Sequence, residues 1–174
     1  MIRFHAGAAF AVLLAGFLFS VPVSAHDDNH YTLGSLHIDR PWARATPSGA
    51  RVGAAYFIVR NLGATDDRLI GASSPTAAQA DVHEMSMNGN VMHMATVKGG
   101  MVIPAGGSIT LQPSGYHIML TGLKGPLVKG TRVPMTLTFE HAGSIDIQVE
   151  VEAIGAAGPA SHGKPDNAMG GMKM

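Results

Sequence analysis

An uninterrupted alternation of apolar and polar residues near the C-terminal end constrains the fold of this chain more than any other feature. Residues 145–151 read Ile-Asp-Ile-Gln-Val-Glu-Val, which is the two-residue period of a strand with one buried face. Residues 133–139 alternate in the same way, and the intervening Ala142-Gly143 suits a hairpin loop. The sequence therefore predicts a β-hairpin that buries one face against the rest of the domain.

Turn signals divide the remainder of the chain into similar short segments. The 22 Gly and 10 Pro favour many turns, and no segment shows the periodicity of a long amphipathic helix. Further strands are predicted at residues 36–38, 54–61, 80–87, 90–97, 108–112 and 115–120. About seven to nine short antiparallel strands indicate an all-β fold, either a β-sandwich or a small Greek-key barrel. We expect Val, Ile, Leu and Ala to fill its core, with Trp42, Phe57 and Phe139 as the few large rings.

The two ends of the chain differ in composition from its middle. Residues 1–25 combine a positively charged start, an apolar run and a small-residue cleavage site ending at Ala25, as in a secretory signal peptide. The alternative is an uncleaved membrane anchor, which the polar residues that follow disfavour. We expect export to the periplasm, with no membrane span after cleavage. The predicted parts are then a short polar segment at 26–35, a domain at 36–154 and a flexible tail at 155–174.

The chain has no cysteine, and this excludes whole classes of site. Disulfides, thiolate catalysis, cysteine zinc sites, iron–sulfur clusters and blue-copper centres all need that residue, as does a bacterial lipid anchor. Twelve Lys and Arg balance twelve Asp and Glu, so the sequence lacks the basic footprint of a nucleic-acid-binding protein. The eleven Met and nine His remain as the candidates for chemistry.

Six of the Met and His residues fall within the twelve positions 83–94, around an Asn88-Gly89 dipeptide. Asn-Gly is the strongest short signal for a two-residue hairpin turn, because both central residues of a type I′ turn need a positive φ. A turn at that position pairs His83 directly with Met94, and Met85 with Met92. The side chains on one face of this hairpin are then His83, Met85, Met87, Met92 and Met94.

A second pair, His117 and Met119, lies two residues apart on a predicted strand and so points to one side of it. The full candidate set is His83, Met94, His117 and Met119. Two imidazoles and two thioethers make a soft, neutral ligand set that suits Cu(I), whereas Zn²⁺ rarely takes a thioether. Met85 and Met92 are predicted to pack in the core or to form the rim of the site, because Met is a flexible core filler.

Taken in order, the candidate ligands form the pattern His-x10-Met-x22-His-x-Met from residue 83 to residue 119. This pattern resembles that of the PCuAC family of periplasmic copper chaperones, which are linked to assembly of the dinuclear copper site of cytochrome c oxidase. The second spacing is one residue longer than is usual, and the loop at 98–100 can absorb that residue. The resemblance covers residues 36–153 and includes family-like stretches at 41–47, 54–56, 67–69, 103–107 and 115–123.

The resemblance implies a cupredoxin-like β-sandwich in which two His and two Met bind Cu(I) for delivery to the oxidase. Some members of the family carry a Met- and His-rich C-terminal extension that is implicated in Cu(II) binding. The tail here offers His162, Met169, Met172 and Met174. Signal cleavage would also leave the imidazole of His26 beside a free α-amino group, with His30 nearby, as a second candidate Cu(II) chelate.

These observations favour a copper carrier over an enzyme, because no acid–base or nucleophile constellation accompanies the candidate ligands. The expected partner is a copper acceptor, either a cytochrome c oxidase subunit or another copper chaperone, and not a nucleic acid. Two alternatives stay open. One is sequestration of copper for tolerance without an acceptor, and the other is a redox enzyme that acts through bound copper.

Overall fold

Residues 30–89 and 91–160 are described by the computed structural model of the chain, and within them the backbone forms eleven strands and no helix. The strands are β1 (His30–Leu33), β2 (Leu36–Arg44), β3 (Val52–Asn61), β4 (Asp67–Ser73), β5 (Gln79–Asn88), β6 (Val91–Thr96), β7 (Met101–Ile103), β8 (Ser108–Thr110), β9 (Tyr116–Thr121), β10 (Arg132–Phe139) and β11 (Gly143–Glu152). The predicted all-β class is confirmed. There are more strands than predicted, because β1, β4 and β7 carry no long alternating run that the sequence pattern could reveal.

Seven of the described strands close into a barrel in the order β2-β11-β10-β4-β5-β9-β3, because β3 pairs back with β2. Shorter strands extend this wall: β1 along β2, β6 along β5, β7 along β4 and β8 along β3. The pairing is antiparallel, as predicted, except at one seam, where β11 runs parallel to β2 with Val151 beside Ala43. Closure brings the last strand against the first long strand, and so it covers two edges that an open sheet would leave exposed.

The apolar core fills the inside of the barrel, and the alternating runs contribute to it as predicted. In β10, Met135, Leu137 and Phe139 are buried, while the residues between them are partly exposed. Phe57 from β3 joins the same core cluster. The core therefore consists of aliphatic side chains around a few large rings, in agreement with the composition.

Trp42 is buried, but it lies on the outer face of the wall and does not belong to the core cluster. Leu36 and Ile38 point inward at the start of β2, so simple alternation would turn Trp42 inward too. A register shift between Asp39 and Trp42 adds one residue to β2, and beyond it Ala43 takes the inward position. Trp42 is therefore buried as expected, but the bulge exchanges the two faces and places it outside the inner core cluster.

Both ends of the described chain lie against β2. β1 pairs with its first half and falls within segment 26–35, ahead of the predicted start of the domain. At the other end, the Nε–H of Arg44 donates to the carbonyl of Ala156 at 2.7 Å, and the backbone N–H of Ala160 donates to Glu152 at 2.8 Å. Residues 157–159 and Trp42 line a cavity of about 170 Å³ beside this contact. The predicted tail therefore begins with residues that are hydrogen-bonded to the barrel wall.

The predicted signal peptide lies outside the described residues, as do positions 161–174 of the tail. Within 30–89 and 91–160, no helix has the length and the apolar character needed to cross a bilayer.

Candidate metal centre

The hairpin of β5 and β6 turns one residue later than the Asn-Gly dipeptide indicates. Asn88 pairs with Val91, so residues 89 and 90 connect the two strands, and Gly89 takes a positive φ of 61°. Gly adopts this left-handed conformation without steric cost, which makes it suitable for the connection in either register. The predicted two-residue turn at 88–89 is therefore wrong by one position.

The observed register changes the direct partners of the hairpin residues but keeps their faces. His83 faces Thr96 rather than Met94, and Met94 faces Met85. The partner of each residue moves by two positions, and this preserves the faces because the period of a strand is also two. The predicted direct pairing of His83 with Met94 is wrong, but their shared face is confirmed. They lie diagonally across the hairpin, about 7 Å apart by standard strand geometry.

The neighbouring strand β9 brings the other two candidates to the same wall. His117 pairs directly with His83, and the centroids of the two rings are 5.9 Å apart with their planes inclined by 43°. Met119 follows two residues along β9, opposite Asp81. Ile118 between them is fully buried in the core. His117 and Met119 therefore both lie on the outer face, which they share with His83.

His117 is buried and has a fixed orientation. Its Nδ1–H donates to the carbonyl oxygen of Gly115 at 3.2 Å, which leaves Nε2 without a proton in the neutral ring. Burial lowers the pKa of His117, the hydrogen bond to Gly115 opposes this, and the neighbouring His83 lowers the pKa further. The ring is therefore neutral at neutral pH and presents a lone pair, which is the form that ligates metals.

His83 is half-buried and leaves one ring nitrogen unused. Its Nε2 lies 3.2 Å from the hydroxyl oxygen of Thr96, whereas its Nδ1 is buried with no hydrogen-bond partner among the described residues. A proton on Nδ1 would be a buried, unpaired donor, so we assign the proton to Nε2, which then donates to Thr96. Nδ1 carries an unsatisfied lone pair in this tautomer, and a metal ion would satisfy it.

The two methionines of the candidate set differ in their exposure. Met119 is half-buried within β9, whereas Met94 is 51% exposed on the outer strand β6. Met85 faces Met94 and is half-buried, and Met92 is 57% exposed. Neither Met85 nor Met92 packs in the core, which was one of the two predicted places. A position at the rim of the site remains the prediction for both.

Two aromatic side chains that the sequence did not identify as site residues extend outward from His117: Tyr56 lies beside it, and Trp42 lies beside Tyr56. The Tyr56 ring centroid is 6.4 Å from that of His117 and 4.6 Å from that of Trp42. All three rings are buried, and burial raises the pKa of Tyr56, so that its phenol stays protonated. Tyr56 is one of the family-like residues at 54–56, but its place beside His117 depends on the β3–β9 register, which no local pattern reveals.

The remaining candidate ligands lie elsewhere. His30 begins β1, where its Nδ1 is 2.7 Å from Oδ1 of Asp39, whose second oxygen accepts from Arg60. Burial alone would raise the pKa of Asp39, but the hydrogen bonds from Arg60 and His30 outweigh it and lower the pKa. Outside the described residues are His26, His162, Met169, Met172 and Met174, whose roles stay predictions.

Oxygen and nitrogen ligands alone do not form a metal centre in the described part of the chain. Within 30–89 and 91–160, no group of three or more His, Cys, Asp or Glu side chains could hold a metal ion. The two paired imidazoles share their face with thioethers, which can serve as further ligands.

Comparisons with known proteins agree with this fold and motif. A family model described as "LpqE-like: Putative lipoprotein LpqE-like" matches residues 36–151. The "Putative lipoprotein Lxx21020" of Leifsonia xyli subsp. xyli (strain CTCB07) is 32% identical over 157 residues, which cover 90% of this chain and 93% of the relative.

Two solved structures are also similar to this chain. The "Copper-bound PCuAC domain from PmoF2" matches with a TM-score of 0.61 and 29% identity, over 71% of this chain and 97% of that domain. CuI-DR1885 from Deinococcus radiodurans matches with a TM-score of 0.50 and 32% identity, over 64% of this chain and 74% of that chain. The first likeness confirms the cupredoxin-like fold that the motif implied.

Proposed function

This chain belongs to the LpqE-like family, which is the PCuAC-like family that its motif resembles, and on that premise we propose that it is an exported copper carrier. In this proposal the cargo is Cu(I), and the ligands are the side chains of His83, Met94, His117 and Met119. The relatives support it, since two of the similar structures are described as a copper-bound domain and as a Cu(I) form. Neutral nitrogen and sulfur ligands suit a soft monovalent ion without adding a buried charge.

One observation carries the proposal, namely the pair of imidazoles on directly opposed positions of β5 and β9. His117 has its proton on the nitrogen that bonds Gly115, and His83 has a buried nitrogen without a partner. An unsatisfied buried polar atom calls for a specific explanation in a native structure. A bound copper ion between the two rings provides that explanation.

The exposure of the site suits a carrier that must also release its cargo. His117 is 4% exposed, whereas Met94 is 51% exposed on the outer strand. The ligands of an acceptor can therefore approach the ion from the side of Met94. Thioethers also suit an oxidising compartment such as the periplasm, because they cannot form disulfides, although they can become sulfoxides.

The proposed acceptor is a copper site of cytochrome c oxidase, and this part rests on the family resemblance alone. The proposed location is the periplasm, which the family resemblance implies, and the lipoprotein names of the family and of the relative support the coarser statement that the protein is exported. We propose a carrier rather than an enzyme, since the candidate ligands account for the site without a nucleophile or a general base. Sequestration without an acceptor is the competing function.

Two measurements on the mature protein test the proposal. Anaerobic Cu(I) titration against a chromophoric chelator, followed by X-ray absorption spectroscopy, should reveal an ion with both nitrogen and sulfur ligands. No Cu(I) binding, or a shell without sulfur, would refute the proposed centre. The loaded protein is then mixed with the apo copper-binding domain of the oxidase subunit, and copper is counted in each after separation. Copper that moves supports delivery, and copper that stays supports sequestration.

A further inference from the structure

The β5–β6 hairpin carries more thioethers than the four-ligand centre uses. Met87 pairs directly with Met92, and Met85 pairs directly with Met94, so the four side chains form two adjacent rungs on one face. We propose that these four methionines form a second Cu(I) site made of thioethers alone, through which copper enters and leaves the centre at His83. This inference rests on the proposed function, because Met94 is shared between the two sites.

Packing does not account for three of these four side chains. Met87, Met92 and Met94 are 62%, 57% and 51% exposed, whereas Met101 and Met135 are 7% and 2% exposed in the core. A methionine that served only as a flexible core filler would be buried like the latter two. Apolar side chains left in water forfeit the hydrophobic stabilisation that burial would supply, so their exposure calls for another explanation.

The geometry of the hairpin allows the four sulfur atoms to reach one ion. Directly opposed Cβ atoms lie about 5 Å apart, and successive rungs on one face lie about 7 Å apart along the strand. The unbranched side chain of Met has three rotatable bonds, so sulfur atoms from all four corners can converge above the face. All six residues of β6 are exposed, and among the described strands β6 pairs with β5 alone, which leaves room above the face for an ion.

The chemistry of the site determines which ion it takes. Thioethers are soft and neutral, and they select Cu(I) over Cu(II) and over oxygen-seeking cations. Met94 faces Met85 within the hairpin and lies diagonally to His83, so it can remain bound while the other ligands are exchanged. The transfer is a ligand exchange in which copper remains Cu(I), with no electron or proton moved.

Nuclear magnetic resonance of protein labelled with methyl-¹³C methionine tests this inference directly. Cu(I) is added anaerobically to the mature protein in two equivalents, and each methyl signal is assigned by single Met→Leu substitutions. The double variant Met87→Leu/Met92→Leu keeps the apolar surface but removes two sulfur atoms. Met101→Leu is the matched control, because Met101 is a core residue outside the hairpin.

We expect the Met94 and Met119 methyl signals to shift with the first equivalent, and those of Met85, Met87 and Met92 with the second. With both ions bound, Met94 stays on the first ion and the other three thioethers hold the second. The double variant should lose one equivalent of Cu(I), while its affinity for the first changes by less than about threefold. The Met101→Leu protein should keep both equivalents.

Unmoved Met87 and Met92 methyl signals at two equivalents would overturn the inference, as would an unchanged Cu(I) stoichiometry in the double variant. If the Met119 methyl signal stays unmoved while the hairpin signals shift, the four-ligand centre fails and the thioether site stands. If only the Met94 and Met119 methyl signals shift, the thioether site fails and the proposed function stands.

Discussion

His117 and Met94 should contribute unequally to Cu(I) affinity, although both are proposed ligands of the same ion. His117 is 4% exposed, donates to Gly115 and contacts the Tyr56 ring, so its orientation exists before copper binds. Met94 is 51% exposed on an outer strand and must be ordered by the ion. The perturbations that separate these two cases are His117→Phe, which keeps a ring beside Tyr56, and Met94→Leu, which keeps an apolar side chain.

The expected magnitudes follow from the cost of ordering a side chain. Immobilising a free Met side chain costs up to about 1.5–2 kcal/mol. Copper binding must offset this cost for Met94 but not for His117, which is already oriented. If the two bonds to copper are of similar strength, His117 contributes about 1.4 kcal/mol more, which is about tenfold in Kd. We therefore expect Met94→Leu to weaken Cu(I) binding about tenfold and His117→Phe to weaken it about a hundredfold.

The assay is anaerobic competition with a Cu(I) chelator at neutral pH, and thermal melts establish that each variant is folded. Should His117→Phe fail to fold, His117→Ala provides the same comparison. Equal losses in the two variants, or a larger loss for Met94→Leu, would refute the argument from orientation. Unchanged affinity in a folded variant would remove that residue from the ligand set.

Four further predictions concern fluorescence, pH dependence, stability and copper stoichiometry. Copper binding at His117 should quench the fluorescence of Trp42, the single tryptophan, because the Tyr56 ring contacts both the Trp42 ring and the His117 ring. The apo protein should lose stability below about pH 6.5, because burial lowers the pKa of His117 and the unfolded chain then binds the proton more readily. Asp67 accepts from three backbone N–H groups at 2.7–3.0 Å, so Asp67→Ala should lower the free energy of unfolding in urea by about 2–4 kcal/mol. Deletion of residues 161–174 should preserve the fold and the Cu(I) centre but remove one weaker copper-binding event in calorimetry.

Each of these predictions has a matched control. If copper still quenched the Trp42 fluorescence in the His117→Phe protein, the fluorescence prediction would be contradicted. The same variant should flatten the stability profile between pH 5 and 7, about the range in which histidine titrates, whereas His93→Gln on the exposed strand should not. Asp66 is exposed and accepts a hydrogen bond from the backbone N–H of Ala105, so Asp66→Ala should lower the free energy of unfolding by less than about 1 kcal/mol. A decrease as large as that of Asp67→Ala would contradict the prediction for Asp67. Equal copper stoichiometry of the full and shortened proteins, with both Cu(I) and Cu(II), would contradict the fourth.

The parts of the fold that depend on local periodicity were predictable from the sequence. The alternation in β10 and β11 predicted the hairpin and its buried face, because that pattern requires no knowledge of distant partners. The shared face of His83 and Met94 was also predictable, and it survived an error in the turn because the resulting change of partner was an even number of residues.

Long-range pairings were not predictable in this way. The direct opposition of His83 and His117 joins β5 to β9, and no local pattern in either strand contains their register. The bulge in β2 was also not predictable from the sequence. Arg40 takes a positive φ of 49° there, and no glycine marks the position. Trp42 faces outward for that reason, and the aromatic contact with Tyr56 behind the candidate centre could not be foreseen.

The outer strand β6 also bears on the colloidal stability of the protein. The barrel covers its own edges by closing, yet β6 pairs with β5 alone among the described strands, so its other edge presents unpaired backbone groups. The residues of that strand are Val-Met-His-Met-Ala-Thr, without the Lys or Pro that usually discourage edge-to-edge association, and the chain has a formal net charge of zero. A covering segment would protect this edge from aggregation, but it would also bury the thioethers, so solubility and ligand exchange place opposite demands on the same six residues.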